Sequence, residues 1–211
     1  MNNIIYRNTT TEIKTPILYS NDTIVRNDYP DSEWMGEVAA YPFLQTGSVW
    51  TGISQARRRL YYQCSPLLEY HLDERKYDVY CTKYVGNISN AELFGQSHHS
   101  DGLAKACEYI LANYPEYEVA VNKMMNGNVL YPHSIFYIKT FFWNRYKDWV
   151  DEILRAIDIS HDDKYGSWIA ERLFTIFVYH NIPPERVKIV SCYAWDKVTG
   201  LLKNTTDGVC A

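Results

Sequence analysis

No stretch of this 211-residue sequence approaches the run of about eighteen apolar residues that a membrane-spanning helix needs. Its first residues, Met1-Asn2-Asn3-Ile4-Ile5-Tyr6-Arg7, lack the basic stretch and apolar core of a secretory signal. A cytoplasmic protein with no integral membrane segment is the expectation. The five cysteines (Cys64, Cys81, Cys107, Cys192 and Cys210) are odd in number and include no C-x-x-C pair, which argues against a disulfide framework, a zinc knuckle or a redox motif. The N-x-S/T triplets at Asn8, Asn21, Asn87 and Asn204 would matter only on a secretory route. Positive charge is not in excess: Lys and Arg total 21 against 25 Asp and Glu, a net charge of −4, so composition implies no broad nucleic-acid-binding face. Repeats, low-complexity segments and Pro/Gly/Ser linkers are also missing. This length suits one sizeable core, so one domain is expected over residues 1–198, followed by a polar tail at 199–211.

What is present is a globular composition, 46% hydrophobic and 22% charged, with strand and helix periodicities in alternation. Short strands are expected at Ile13 to Tyr19, Ser48 to Ser54, Tyr77 to Cys81, Ser134 to Lys139 and Val187 to Val190. Between them, Asp31 or Ser32 can cap a helix running through Trp34, Glu37, Val38 and Tyr41, and Asn90 and Asp101 can begin two more. The clearest amphipathic stripe is Phe142, Tyr146, Trp149, Ile153 and Ile157. A second helix carries Trp168, Ile169, Arg172, Leu173, Ile176 and Phe177 and stops near Pro183-Pro184. Such alternation predicts an α/β domain with a mixed, mostly parallel sheet flanked by helices.

One basic run stands out. Gly52-Ile53-Ser54-Gln55-Ala56-Arg57-Arg58-Arg59 follows an expected strand, and open α/β sheets bind ligands beyond the carboxyl ends of their strands. Arginine suits phosphate because its planar fork donates paired hydrogen bonds and keeps its charge. A solvated charged loop is the competing reading. The aromatic load, with 19 Tyr and 6 Trp, is mostly core material. Trp50, on the strand leading to the arginines, is the ring expected to contact a base or sugar.

The run resembles the G-L-x-H-Y-R-R signature of a bacterial family of capsular and O-antigen glycosyltransferases, long classed as a domain of unknown function. Gly52, Ile53, Arg57 and Arg58 match, while Gln55 stands in place of His and Ala56 in place of Tyr. Further similarities follow in order over about residues 20 to 195. They are Glu37-Val38-Ala39-Ala40-Tyr41, Gln96-Ser97-His98-His99-Ser100-Asp101, His133 to Lys139 with Ser134 where Asn is usual, Trp143/Tyr146/Trp149, and Glu171-Arg172-Leu173 for E-R-L.

The resemblance implies a GT-A-like fold and transfer of a sugar, in some relatives a furanose, from a UDP-linked donor to a hydroxyl acceptor in polysaccharide biosynthesis. Carried over residue by residue, it implies donor binding by Arg57, Arg58, Gln55, Glu37 and Arg172, and acceptor or sugar contact by His99, His133 and Ser134 together with Trp50. Glu171 is the expected base, because a carboxylate on an apolar helix is poorly solvated and its pKa rises; a structural ion pair with Arg172 is the competing role. His98, ahead of a helix, is the second catalytic candidate. No D-x-D triplet follows an expected strand, so the arginines are expected to replace a metal, with Mn or Mg as the alternative. Two other functions compete: glycosylation of a hydroxymethylated base in phage DNA, and a non-catalytic binding module on the same fold.

Overall fold

The computed structural model describes residues 2–7, 22–26, 31–44, 48–55, 58–62, 65–67, 71–98, 101–157, 165–195 and 202–204; the strand expected at Ile13 to Tyr19 lies outside them. The chain begins with β1 (Asn2–Arg7), β2 (Asp22–Arg26) and α1 (Ser32–Met35), which runs into a 3-10 helix (Gly36–Phe43). Then come β3 (Trp50–Gln55), β4 (Arg58–Tyr62), β5 (Ser65–Pro66), β6 (Val79–Cys81) and β7 (Tyr84–Val85). A helical stretch follows, made of α2 (Asn90–His98), α3 (Gly102–Asn113), a 3-10 turn (Pro115–Tyr117) and α4 (Glu118–Asn126). The remainder is β8 (Val129–Leu130), β9 (Phe136–Lys139), α5 (Thr140–Ala156), α6 (Tyr165–Asn181), β10 (Val187–Ile189), β11 (Ser191–Trp195) and β12 (Leu202–Asn204).

The main sheet runs β10-β6-β9-β3-β4-β11-β12, with β1 beside β3 and β2 beside β1. It is mixed, as expected, but it is not mostly parallel. Among the described residues β1/β2, β1/β3 and β6/β10 are parallel, whereas β3/β4, β3/β9, β6/β9, β4/β5, β4/β11 and β11/β12 are antiparallel. The cause is connectivity. The link from β3 to β4 is too short for a crossover and can only reverse the chain, and β9 enters between β3 and β6 against both. Within the segment expected as a polar tail, Leu202–Asn204 forms β12 and pairs with β11.

Alternation along the strands builds two cores. Ile53, Val79, Cys81, Phe136 and Ile138 face the helical layer. Trp50, Leu60, Tyr80, Tyr137 and Cys192 form a second cluster with residues of the other face. In α5 the buried side chains are Trp143, Tyr146, Trp149, Val150, Ile153 and Leu154; of the stripe the spacing predicts, Tyr146, Trp149 and Ile153 lie among them, Ile157 is buried just past the helix, and Phe142 is only half-buried. Almost all of α6 from Gly166 to Val178 is buried, which makes it the central helix of the layer. Phe136 and Phe174 stack at 4.1 Å and join α6 to the sheet; burying a side chain of that size is worth about 1.5–3 kcal/mol.

The helix expected from Asp31 to Tyr41 breaks at Gly36, whose φ of +59° lies in the left-handed region. A Cβ there would sit 3.1 Å from Ser167, and one at Gly166 would meet the Trp34 ring at 2.9 Å. These two glycines let the α1 segment close against α6. That approach carries Glu37 towards the middle of the helical layer. Among the described residues, no helix is long and apolar enough to cross a membrane.

Candidate active site

Three segments far apart in sequence converge along α6. The 3-10 helix brings Glu37, 6% exposed, and Ser167 Oγ donates to its Oε2 at 3.3 Å. The α6 helix itself brings Glu171 and Arg172. The turn before β9 brings His133 and Ser134, with φ of 75° and 47°. Two successive non-glycine residues in the left-handed region are uncommon, and such backbone persists only where its surroundings impose it. Here the turn directs the backbone N–H of His133 at the Glu171 carboxylate.

Burial pushes the Glu171 carboxyl up to about 6; neighbouring Glu37 adds to the rise, while Arg172, Arg58 and the His133 amide oppose it. The carboxylate is not sealed in: 18% of the Glu171 side chain is accessible. Arg172 is the more deeply buried partner. Its Nη1 donates to Glu171 Oε2 at 3.2 Å and to the carbonyl of Trp168 at 3.0 Å, and its Nε makes no hydrogen bond among the described residues. Burial lowers the pKa of Arg172, with Glu171 opposing. The His133 imidazole is lowered to about 4, by burial first and then by Arg58 and Arg172, so it is neutral at physiological pH. A neutral imidazole and an ionisable carboxylate thus share a site with two guanidinium groups.

Beneath them lie Tyr41 and Tyr146, both fully buried, with pKa values raised by burial and then by nearby charge that includes Glu37 and Glu171. Ser134 lies close enough to temper the shift of Tyr41, although the two hydroxyls do not meet hydrogen-bond geometry. Sequence reasoning placed Tyr41 and Tyr146 only in motifs and core and did not single out Ser167. The one available signal was the placement of Glu37 and Tyr41 in the same short motif.

The expected residues whose side chains are described fall into three groups. Glu37, Arg58, His133, Ser134, Glu171 and Arg172 come together. His98 lies one layer out, stacked on Trp168 at 4.1 Å and 4.8 Å from Phe94, whose ring in turn lies 5.1 Å from the Arg172 guanidinium carbon. Trp50 stands apart: it is 4% exposed, packs edge-on against Tyr80 at 5.6 Å, and belongs to the second cluster across the sheet. A buried indole has no face left for a sugar. Arg58 opens β4 rather than lying in a loop, because the chain reverses directly after β3 and resumes pairing at Gln55 and Arg58. Arg57, His99 and the Gln55 side chain lie outside the described residues. Also among the described residues, no three side chains of metal-ligating type come together.

A carboxylate, a neutral imidazole and two guanidinium groups thus gather on the helical side of a mixed sheet. The structure is similar to the apo structure of WbbM, a bifunctional glycosyltransferase, with a TM-score of 0.71 and 15% identity over 91% of this chain and 45% of that one. At that identity the likeness carries the fold, which is consistent with the GT-A-like architecture, and the chain spans less than half the length of that structure. Residues 66–182 match the family described as domain of unknown function DUF4422, and the chain belongs to that family. No curated protein gives a significant match.

Proposed function

We propose that this chain is a glycosyltransferase that moves a sugar from a nucleotide-diphosphate donor, UDP-linked, to a hydroxyl of a growing polysaccharide. The observation that carries this reading is Glu171, a carboxylate raised to about 6, paired with Arg172 at 3.2 Å and within the electrostatic reach of Arg58. The acceptor hydroxyl gives its proton to the Glu171 carboxylate as its oxygen bonds the anomeric carbon of the donor. The bond from that carbon to the diphosphate breaks, and the leaving group departs with an added negative charge. Arg58, with Arg57 beside it in sequence, supplies the positive field that favours this charge; one well-placed donor is worth about 3 kcal/mol at such a site. The arginines take the part of a metal in this scheme. Support for the reading comes from the WbbM-like fold and from the side chains gathered at the site.

Incubating purified protein with a panel of nucleotide sugars and an oligosaccharide acceptor, followed by mass spectrometry, tests the reaction. Calorimetry with UDP tests the donor site. Arg58→Ala should weaken UDP binding by about 2 kcal/mol, near thirtyfold, as expected for a lost charge-assisted hydrogen bond. Unchanged UDP affinity in that variant would remove the arginine from the donor site.

A further inference from the structure

A second concavity lies in the helical layer, bounded by the Pro115–Tyr117 turn, α5 and the carboxyl-terminal end of α6. It has a volume of about 320 Å³, within the range of small-ligand sites. It is separate from the candidate active site. His180, on its wall, follows Glu171 by nine residues on α6, which at about 100° and 1.5 Å per residue puts the two about 13 Å apart along the axis and on opposite sides of the helix.

The chemistry of the lining narrows the occupant. Trp149, Tyr117 and His180 form one stack, with centroids 5.2 Å and 3.8 Å apart and interplanar angles of 19° and 25°. The faces of Tyr117 are thus taken by its two neighbours, leaving its rim for the cavity. Ring edges carry the positive end of the aromatic quadrupole, so such a wall does not make the face-lined cage that binds an ammonium ion. Arg145 adds a guanidinium donor at the rim. An anion is opposed by Glu116, Asp148 and Glu152, all exposed.

A rim that mixes carboxylate acceptors with a guanidinium donor fits a neutral molecule with many hydroxyls. Carboxylates only accept hydrogen bonds and a guanidinium only donates them, whereas a sugar hydroxyl does both and can bridge the two kinds of group. One acceptor is already oriented: Glu152 receives the Tyr114 hydroxyl at 2.8 Å and the Tyr109 hydroxyl at 3.0 Å. Among the described residues Asp148 has only a long contact to Lys147, 3.8 Å, and 73% of its side chain is accessible. We propose that this cavity is a saccharide-binding subsite that holds one neutral sugar unit away from the candidate active site, through Arg145, Asp148 and Glu152 above the Tyr117–Trp149 wall. The assignment stands on the cavity itself and does not require that the chain be a transferase.

The test uses the full chain with a panel of neutral methyl glycopyranosides and glycofuranosides, lactose and maltose, read by saturation-transfer NMR and by Trp fluorescence. At least one sugar should bind in the millimolar range. Arg145→Ala and Asp148→Asn should each weaken it by about tenfold or more at unchanged melting temperature, and Glu171→Gln should leave it unaltered. Because Trp149 and Tyr117 are nearly buried, the rim variants serve as probes that leave the fold intact. No binding by any sugar of the panel overturns the proposal. So does sugar binding that both rim variants retain, or that Glu171→Gln removes, since the sugar then sits elsewhere. Displacement of the sugar by tetramethylammonium or inorganic phosphate would show a charged-ligand site instead.

Discussion

Arg172 Nη1 donates to Glu171 Oε2 at 3.2 Å although the two residues are consecutive on one helix. Neighbours in sequence diverge by about 100° around a helix and do not ordinarily face each other. Both side chains therefore bend towards one point, the same point that the His133 amide addresses from the turn before β9. The contact could be a brace or part of a reacting centre, and one variant separates the two.

Glu171→Gln keeps the shape and removes the base. Turnover should fall by a factor of about 100 to 10,000, with UDP affinity nearly unchanged. Activity of the unaltered protein should decline as pH falls below about 6, where Glu171 takes up its proton. If the variant loses melting temperature but keeps most of its turnover per folded molecule, Glu171 is only a structural partner of Arg172.

Stability against pH has a second signature. Glu171 titrates near 6 in the fold and near 4.5 in the unfolded chain, so its contribution is present below about 4.5 and lost as pH rises through 6. His133 titrates near 4 in the fold and 6.5 unfolded, so its contribution is present above about 6.5 and lost as pH falls towards 4. Between 4.5 and 6 the two slopes oppose each other. Thermal melts should be nearly flat in this window for these two groups. Glu171→Gln should then lose stability as the solution is acidified, and His133→Asn, which tolerates the left-handed turn, should gain it. Parallel melting curves for all three proteins would contradict the assignment.

Gly36→Ala tests the closure of the α1 segment on α6. An alanine at φ +59°, with its Cβ 3.1 Å from Ser167, should destabilise the fold by about 1–2 kcal/mol. For a chain of this size that is a melting-temperature loss of about 2–8 °C. An unchanged melt would mean that the segment can shift away from α6 at little cost.

Turnover should persist in EDTA if the arginines take the place of a metal. Abolition by the chelator with recovery on adding Mn or Mg would reverse that view and return attention to the acidic side chains of the site.

The helices were legible where burial is one-sided. The α5 stripe gave itself away at three- and four-residue steps through Tyr146, Trp149 and Ile153. By contrast, α4 buries only Ala120, Val121 and Met124, too few to set a period, and Pro115 alone hinted that a helix opens there. Sheet direction was less legible, because alternation says which residues share a face and nothing about which way the neighbouring strand runs. The β3/β4 reversal carries no Asn-Gly or Asp-Gly signal, so the arginines looked like a loop. At the site, Glu171 stood out as a carboxylate on an apolar helix. Its convergence with Glu37, His133 and Ser134 is a product of tertiary packing, and only the family resemblance pointed to it in the sequence. Trp50 was misleading for the converse reason: position on a strand says which face a ring takes, not whether that face is covered.

The left-handed pair before β9 gives a different meaning to the serine at position 134. Asparagine, the residue usual there in the resembling family, is one of the few non-glycine residues that accept positive φ readily. At φ 47° the requirement at this position falls on the main chain, so the replacement of Asn by Ser need not signal altered chemistry. The side chain that differs is a spacer in the bend, and the group delivered to the carboxylate is the amide of the preceding residue. Whatever occupies 134, what this turn presents to the Glu171 carboxylate is the peptide N–H of residue 133, which every substitution except proline leaves in place and a change in backbone path withdraws.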